Sequence, residues 1–149
     1  MDTIGIDGVI LTPLKIIEND LGNVLHAFKK DTSGFNGFGE AYFSTVKKKS
    51  IKGWKKHAIM ISNLVVPMGQ VKFVIYDDRS SSPTKGNILE LILSPDNYQR
   101  LTIPAGLWFS FQGQGPDTNL ILNIANILHD PNEVETLLLS TEKIPYTWS

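Results

Sequence analysis

The chain contains no cysteine, which excludes structural disulfides, thiolate metal sites and a cysteine nucleophile. An excess of one charge sign is also missing. Against 15 Asp and Glu stand 14 Lys and Arg, for a formal net charge of -1 and a pI near 6.3. Such a chain has no overall field to gather a phosphate backbone, so nucleic acid is not an expected partner. Long apolar runs are absent as well. The longest, from Ala58 to Met68, is interrupted by Ser62, Asn63 and Pro67 and falls far short of the ~20 residues of a membrane-spanning helix, so no membrane partner is expected either. The amino terminus, Met1-Asp2-Thr3-Ile4-Gly5-Ile6-Asp7, has neither the basic nor the apolar region of a secretory signal, and a cytoplasmic location is expected. With no thiol and only 3 histidines, the repertoire for catalysis narrows to imidazole, amine and phenol.

What is present suits one globular unit over residues 1–149: a chain of this length buries roughly two-thirds of the surface its unfolded form exposes. Period-two alternation dominates. In Gln70-Val71-Lys72-Phe73-Val74-Ile75-Tyr76, residues Val71, Phe73 and Ile75 share one face and Lys72, Val74 and Tyr76 the other, as in a half-buried strand. Asn87–Leu93 and Arg100–Ile103 read the same way, while the more continuously apolar Asn119–Ala125 suits a strand covered on both sides. Gly- and Pro-rich turns separate these runs at Ser33–Gly37, Pro67–Gly69, Ser80–Gly86, Ser94–Asn97, Pro104–Gly106 and Gly113–Pro116. Many short strands between such turns predict an all-β sandwich or barrel. Helix is expected only as short turns, around Pro95–Tyr98 and Asn132–Leu138, the second opened by Asp130-Pro131.

The near-zero net charge conceals a local concentration. Six of the 14 basic residues (Lys47, Lys48, Lys49, Lys52, Lys55 and Lys56) fall within ten positions, next to His57 and just before the apolar stretch Ala58–Val66. This basic strand mouth suits one or two phosphates of a ligand. On a regular strand Lys55 and His57 share a face, with Asn63 on the same parity and Trp54, Lys56 and Ser62 on the other. An ammonium beside an imidazole favours the neutral ring, able to accept a proton. The plainer alternative is solvated lysines and a histidine making an ordinary hydrogen bond at a strand end.

These residues resemble a known family. Ile51-Lys52-Gly53-Trp54-Lys55, then Val65 to Arg79, are similar to the central block of the dTDP-4-dehydrorhamnose 3,5-epimerases: an Arg-Gly-Leu-His segment, a Gly turn and a strand ending in Val-Asp-x-Arg. Leu93-Ser94-Pro95-Asp96-Asn97-Tyr98-Gln99-Arg100-Leu101-Thr102-Ile103-Pro104-Ala105-Gly106 looks like the family's Leu-Ser-x-x-Asn-x-x-x-Leu-x-Ile-Pro-x-Gly, and Ile144-Pro145-Tyr146-Thr147-Trp148 like its Ile-x-Trp close. The likeness spans roughly residues 10 to 148, in order. It implies a cupin jelly roll (a double-stranded β-helix), usually a homodimer, acting on a nucleotide-sugar substrate.

Three positions depart from the family pattern. Lys55 stands where the family has its base histidine, with His57 two residues later; the strand reading Leu120-Ile121-Leu122-Asn123 lacks the family's tyrosine; Phe109 replaces the histidine after Pro-x-Gly. The pattern Lys52-x-Trp54-Lys55-x-His57-x-x-Met60-x-x-Asn63 looks closer to the related polysaccharide-biosynthesis and ketoisomerase cupins. Metal cupins need His-x-His, a nearby Glu and a further His; here Lys55-x-His57, no Glu between Ala58 and Gly69, and Phe109 argue against a metal, and no cofactor is expected.

Epimerisation or isomerisation of a 4-keto sugar needs a base near an acidified C–H, a group to hold the enolate oxygen and a proton donor. The expected catalytic residues are His57 as base, Lys55 as enolate stabiliser or base, and Tyr42 as acid, since Tyr42 alternates with Glu40 and Ser44 just before the Lys/His segment. Lys52, Trp54, Asn63, Trp108, Gln112 and Asn123 are expected to bind substrate, with Trp108 as a stacking wall. The competing expectation is a cupin that has lost catalysis and binds a sugar nucleotide, carbohydrate or biosynthetic partner without turnover.

Overall fold

Alternating apolar and polar side chains on short, turn-bounded runs force a sheet to cover one face, and a second sheet is the economical cover. The computed structural model describes residues 5–149, so the amino-terminal signal reading lies partly outside it, over residues 1–4. Among the described residues the strands are β1 (Ile10–Pro13), β2 (Ile16–Ile17), β3 (Val24–Leu25), β4 (Glu40–Val46), β5 (Ile51–His57), β6 (Ser62–Met68), β7 (Val71–Tyr76), β8 (Ile88–Leu93), β9 (Gln99–Ile103), β10 (Trp108–Gly113), β11 (Asn119–Ala125) and β12 (Val134–Leu137). Sheet I has the order β1-β9-β6-β11-β4, sheet II the order β12-β5-β10-β7-β8, and β2 and β3 form a small separate hairpin. The strand pairings are antiparallel and most neighbours are distant in sequence, as in a jelly roll.

The core lies between the sheets. Val46, Leu64, Val66, Leu101, Ile103 and Ile121 of sheet I meet Val71, Phe73, Ile75, Leu93 and Phe109 of sheet II. Each such side chain, fully buried, stabilises the fold by roughly 1.5–3 kcal/mol before entropy is counted. The alternation read for β7 is reproduced: Val71, Phe73 and Ile75 point into this core, while Val74 joins a second cluster on the outer face of sheet II with Trp54, Trp108 and Ile144. Tyr146 and Trp148 of the carboxyl-terminal segment lie over that cluster, and the Trp148 indole N–H donates to Ser110 Oγ at 2.8 Å.

Two local readings change. The segment after Ser94 is a turn rather than a helix, closed by hydrogen bonds of Asp96 and Asn97 N–H to Ser94 Oγ, because a serine side chain satisfies the donors that a helical turn would have paired. Helix after Asp130 is confined to the 3-10 turn Pro131–Glu133, capped by Asp130, and Val134–Leu137 forms the edge strand β12 against β5. Pairing with β5 outcompetes local helix propensity there. Strand β11 is also covered unevenly: Asn119, Ile121, Asn123 and Ala125 are buried, whereas Leu120, Leu122 and Ile124 are half-buried on the outer face.

The chain leaves β5 and crosses from sheet II to sheet I through residues 58–61. Glycine is required where backbones nearly touch: a Cβ on Gly39, just before β4, would sit 2.1 Å from the Ile127 carbonyl carbon, and one on Gly113 only 2.4 Å from the Lys47 carbonyl oxygen.

Candidate active site

A cavity of about 220 Å³ opens between the two sheets, lined by Tyr42, Ser44, Lys52, Lys55, His57, Leu64, Phe109, Phe111, Ile121 and Asn123. Its sheet II wall is β5 with β10, and its sheet I wall is β4 with β11. Phe109 and Phe111 supply an apolar floor, and the His57 ring stacks on Phe109 with centroids 6.1 Å apart.

A β-bulge puts Lys52 in this cavity. Phe109 opposes Lys55 and Phe111 opposes Lys52, so three residue steps of β5 match two of β10 and the parity of β5 reverses across Gly53 and Trp54. On a regular strand Lys52 would have faced outward with Lys56. Instead Lys52, Lys55 and His57 share the inner face, where their charges meet a nearly apolar floor. Lys52 Nζ lies 5.8 Å from the Phe111 ring centroid, and among the described residues neither Lys52 nor Lys55 is paired with a carboxylate.

His57 is held from behind by Glu133. The His57 Nδ1 to Glu133 Oε2 distance is 2.5 Å, and both side chains are buried, 8% and 6% exposed. Oε1 of the same carboxylate accepts the Ile59 and Met60 N–H groups at 3.0 and 2.8 Å. Burial alone would raise the Glu133 pKa, but the hydrogen bonds from His57, Met60 and Ile59 outweigh it and hold the carboxyl below its usual range. An ionised Glu133 fixes the proton on Nδ1 and leaves Nε2 as the basic nitrogen. Glu133 escaped the sequence reading because it lies 76 residues from His57 in a stretch read as helix. A carboxylate behind His57 also revises the picture of an imidazole whose only charged neighbour is Lys55.

Across the cavity, Tyr42 on β4 stands directly opposite Asn123 on β11, and the Asn123 Nδ2–H donates to the Tyr42 hydroxyl at 2.9 Å. Asn123 is 6% exposed and Tyr42 is 42% exposed, so the phenol sits at the cavity mouth on a buried amide. Imidazole, phenol and two ammonium groups thus converge on one space from both sheets.

Four expected binding residues lie elsewhere. Trp54, 1% exposed, and Trp108 pack on the outer face of sheet II; Trp108 donates its indole N–H to Asp78 Oδ2 at 2.9 Å, under Lys56 Nζ at 4.9 Å from its ring. Gln112 shares that outer face, because residues 108, 110 and 112 of β10 alternate with the inward Phe109 and Phe111, and its amide donates to the Lys49 carbonyl at 3.2 Å. Asn63 faces out of sheet I, since strand parity does not carry across the crossing at 58–61; its Oδ1 accepts from Thr102 Oγ1 and Arg100 Nε, and its Nδ2 donates to the Gly34 carbonyl. Asn63 is a structural clasp for the segment that Arg100 also holds, through the Ala27 and Ser33 carbonyls. Among the described residues no three His, Asp or Glu side chains come together as a metal ion would require.

The model of the dTDP-4-dehydrorhamnose 3,5-epimerase family matches residues 3–149. The chain belongs to this family. Its members are epimerases and isomerases of dTDP-sugars. The chain is 28% identical over 143 residues, 95% of its length and 88% of the relative's, to the probable low-salt glycan biosynthesis epimerase Agl13 of Haloferax volcanii. It is 25% identical, over 97% of both chains, to the spore coat polysaccharide biosynthesis protein SpsL of Bacillus subtilis. The crystal structure of a dTDP sugar isomerase from Desulfovibrio desulfuricans G20 superposes with a TM-score of 0.96 at 36% identity, covering 99% of this chain and 95% of that one. Among the described residues no helix is long and apolar enough to cross a membrane.

Proposed function

We propose that the chain is a metal-independent epimerase of a nucleotide-linked 4-keto-deoxy sugar, serving surface-polysaccharide assembly as one cupin-like unit over residues 1–149. One observation carries the reading: His57, backed by Glu133, and Tyr42, seated on Asn123, enter a single cavity from opposite sheets. A base on one side of a bound sugar and an acid on the other suit inversion at a carbon. A keto shift returns the proton to a neighbouring atom and has no use for groups on opposite walls, so we assign epimerisation over ketoisomerisation.

In this reading His57 Nε2 takes the proton from the carbon beside the keto group, and the C–H electron pair moves into the enolate. Lys55 holds the enolate oxygen, worth most here because the floor is apolar. The Tyr42 O–H then gives its proton to the opposite face of the same carbon, the carbonyl re-forms, and imidazolium and phenolate return to their resting states by exchange with water at the open mouth. Lys52 binds the diphosphate. The names of the glycan and spore-coat relatives support the polysaccharide setting.

The decisive experiment is solvent exchange in deuterium oxide with a panel of dTDP-, GDP- and CDP-linked 4-keto sugars, followed by NMR. Deuterium should enter the sugar beside the keto group with EDTA present. No exchange with any of them, from folded protein, would overturn the reading. We also assign a homodimer, supported by the apolar surface where Phe35, Phe38, Ala41, Leu122 and Ile124 adjoin the free edge of β4; sedimentation that returns only the 16.6 kDa monomer would refute it.

A further inference from the structure

Two asparagines occupy the same face of β11, four residues apart, and the structure treats them differently. Asn119 is saturated: its Oδ1 accepts the N–H groups of Gln70 and Gly115, and its Nδ2 donates to the carbonyls of Val46 and Gly115. It is a structural clamp. Asn123 makes the single bond from Nδ2 to Tyr42, and its Oδ1, fully buried, has no partner among the described residues. With its oxygen sealed from the cavity, the amide meets the cavity groups only through its bond to the Tyr42 hydroxyl.

We propose that Asn123 positions the proton donor: its Nδ2–H holds the Tyr42 oxygen so that the phenolic hydrogen is turned into the cavity. The inference rests on the epimerase reading and specifies how its acid is set. An oxygen that already accepts an N–H keeps its own hydrogen free to donate. When Tyr42 passes that proton to carbon, the O–H bond breaks as the C–H bond forms, the phenolate keeps the electron pair, and the same Nδ2–H becomes a charge-assisted bond to it. The donation is therefore stronger after transfer than before, which is what lowers a barrier rather than merely binding substrate.

Asn123→Leu and Asn123→Asp test this beside Tyr42→Phe and the double variant Tyr42→Phe/Asn123→Leu, with a dTDP-linked 4-keto-6-deoxyhexose as probe. Asn123→Leu should slow deuterium wash-in by about 10- to 100-fold with KM for the sugar nucleotide nearly unchanged, and dTDP alone should bind as tightly as to the unaltered protein by calorimetry. The double variant should lose no more than Tyr42→Phe does, because Asn123 acts on the rate through Tyr42. Where Asn123→Leu does not fold, the isosteric Asn123→Asp reads the same point: its carboxylate accepts the phenolic hydrogen, turns it out of the cavity and lowers the rate with dTDP binding intact. Full exchange rates in Asn123→Leu or Asn123→Asp, or losses that simply multiply in the double variant, overturn the inference and leave the epimerase reading standing. An unaltered protein that exchanges no sugar removes both.

Discussion

Strand β5 presents Lys52, Lys55 and His57 to the cavity and Trp54 and Lys56 to the outer face of sheet II, and the two faces obey different physics. Inside, polar groups stand over Phe109 and Phe111, and among the described residues only His57 of the three is paired to a carboxylate, so the lysine charge is open to a ligand. Outside, comparable residues are consumed by structure: Lys56 is over Trp108 and 3.6 Å from Asp78, and Trp54 lies edge-on to Tyr146 beneath the carboxyl-terminal segment. A strand one residue thick thus separates chemistry from stability. Substitutions on the inner face should change rate with little change in folding, and those on the outer face the reverse.

The largest test of that division is His57→Ala, expected to cut exchange by about 10²- to 10⁴-fold, the usual range for a general base, with a fall in melting temperature limited to what Glu133 loses with one of its three hydrogen-bond donors. Trp54→Ala is its counterpart. It should cost about 3–5 kcal/mol in denaturant titrations while the rate per folded molecule survives; loss of rate without loss of stability would break the comparison. Glu133→Gln should take a part of the base's ~10²-fold minimum effect, because the imidazole stays in place but loses the charge that fixes its tautomer.

Acid sharpens the contrast by a milder route. The buried Asp77 carboxyl is pushed up by desolvation but held far below its usual value by Arg79, Ser82 and Thr84, and Glu133 is lowered by its own hydrogen bonds. Each has a native pKa below its unfolded one. Each therefore stabilises the fold above the unfolded carboxylate value of about 4, and the contribution drains away as pH falls toward the native values. Melting temperature should decline below about pH 4, and Glu133→Gln should shallow that decline. The smallest expected effect is Lys56→Ala, roughly 0.2–1 kcal/mol for a partly exposed ion pair, with exchange rates untouched.

Strands were legible in the sequence because alternation is a local signal that burial of one face reads directly, as in Val71, Phe73 and Ile75. His57, Lys55 and Tyr42 could be nominated together because a short connection joins their strands, which line the same cavity. Facing errors arose where parity is not local. Asn63 follows a change of sheet, and Trp54 shows that the most conspicuous aromatic beside a cluster of charges can belong to the opposite surface, whereas Lys52, expected to bind substrate, reaches the cavity only through the bulge. Trp108 and Gln112 were recoverable by counting alternation from Phe109 and Phe111. Glu133 was not, since nothing within its own neighbourhood marks a partner 76 positions away.

The proposed base, His57, and the proposed acid, Tyr42, hang from different sheets. Their separation is therefore a packing dimension, fixed by Leu64, Ile121 and Phe109 where the two walls touch the cavity. In the epimerase reading, every side chain that spaces the sandwich also sets the distance over which a proton is handed, so core substitutions that thin or thicken it should alter which sugar carbon fits between donor and acceptor.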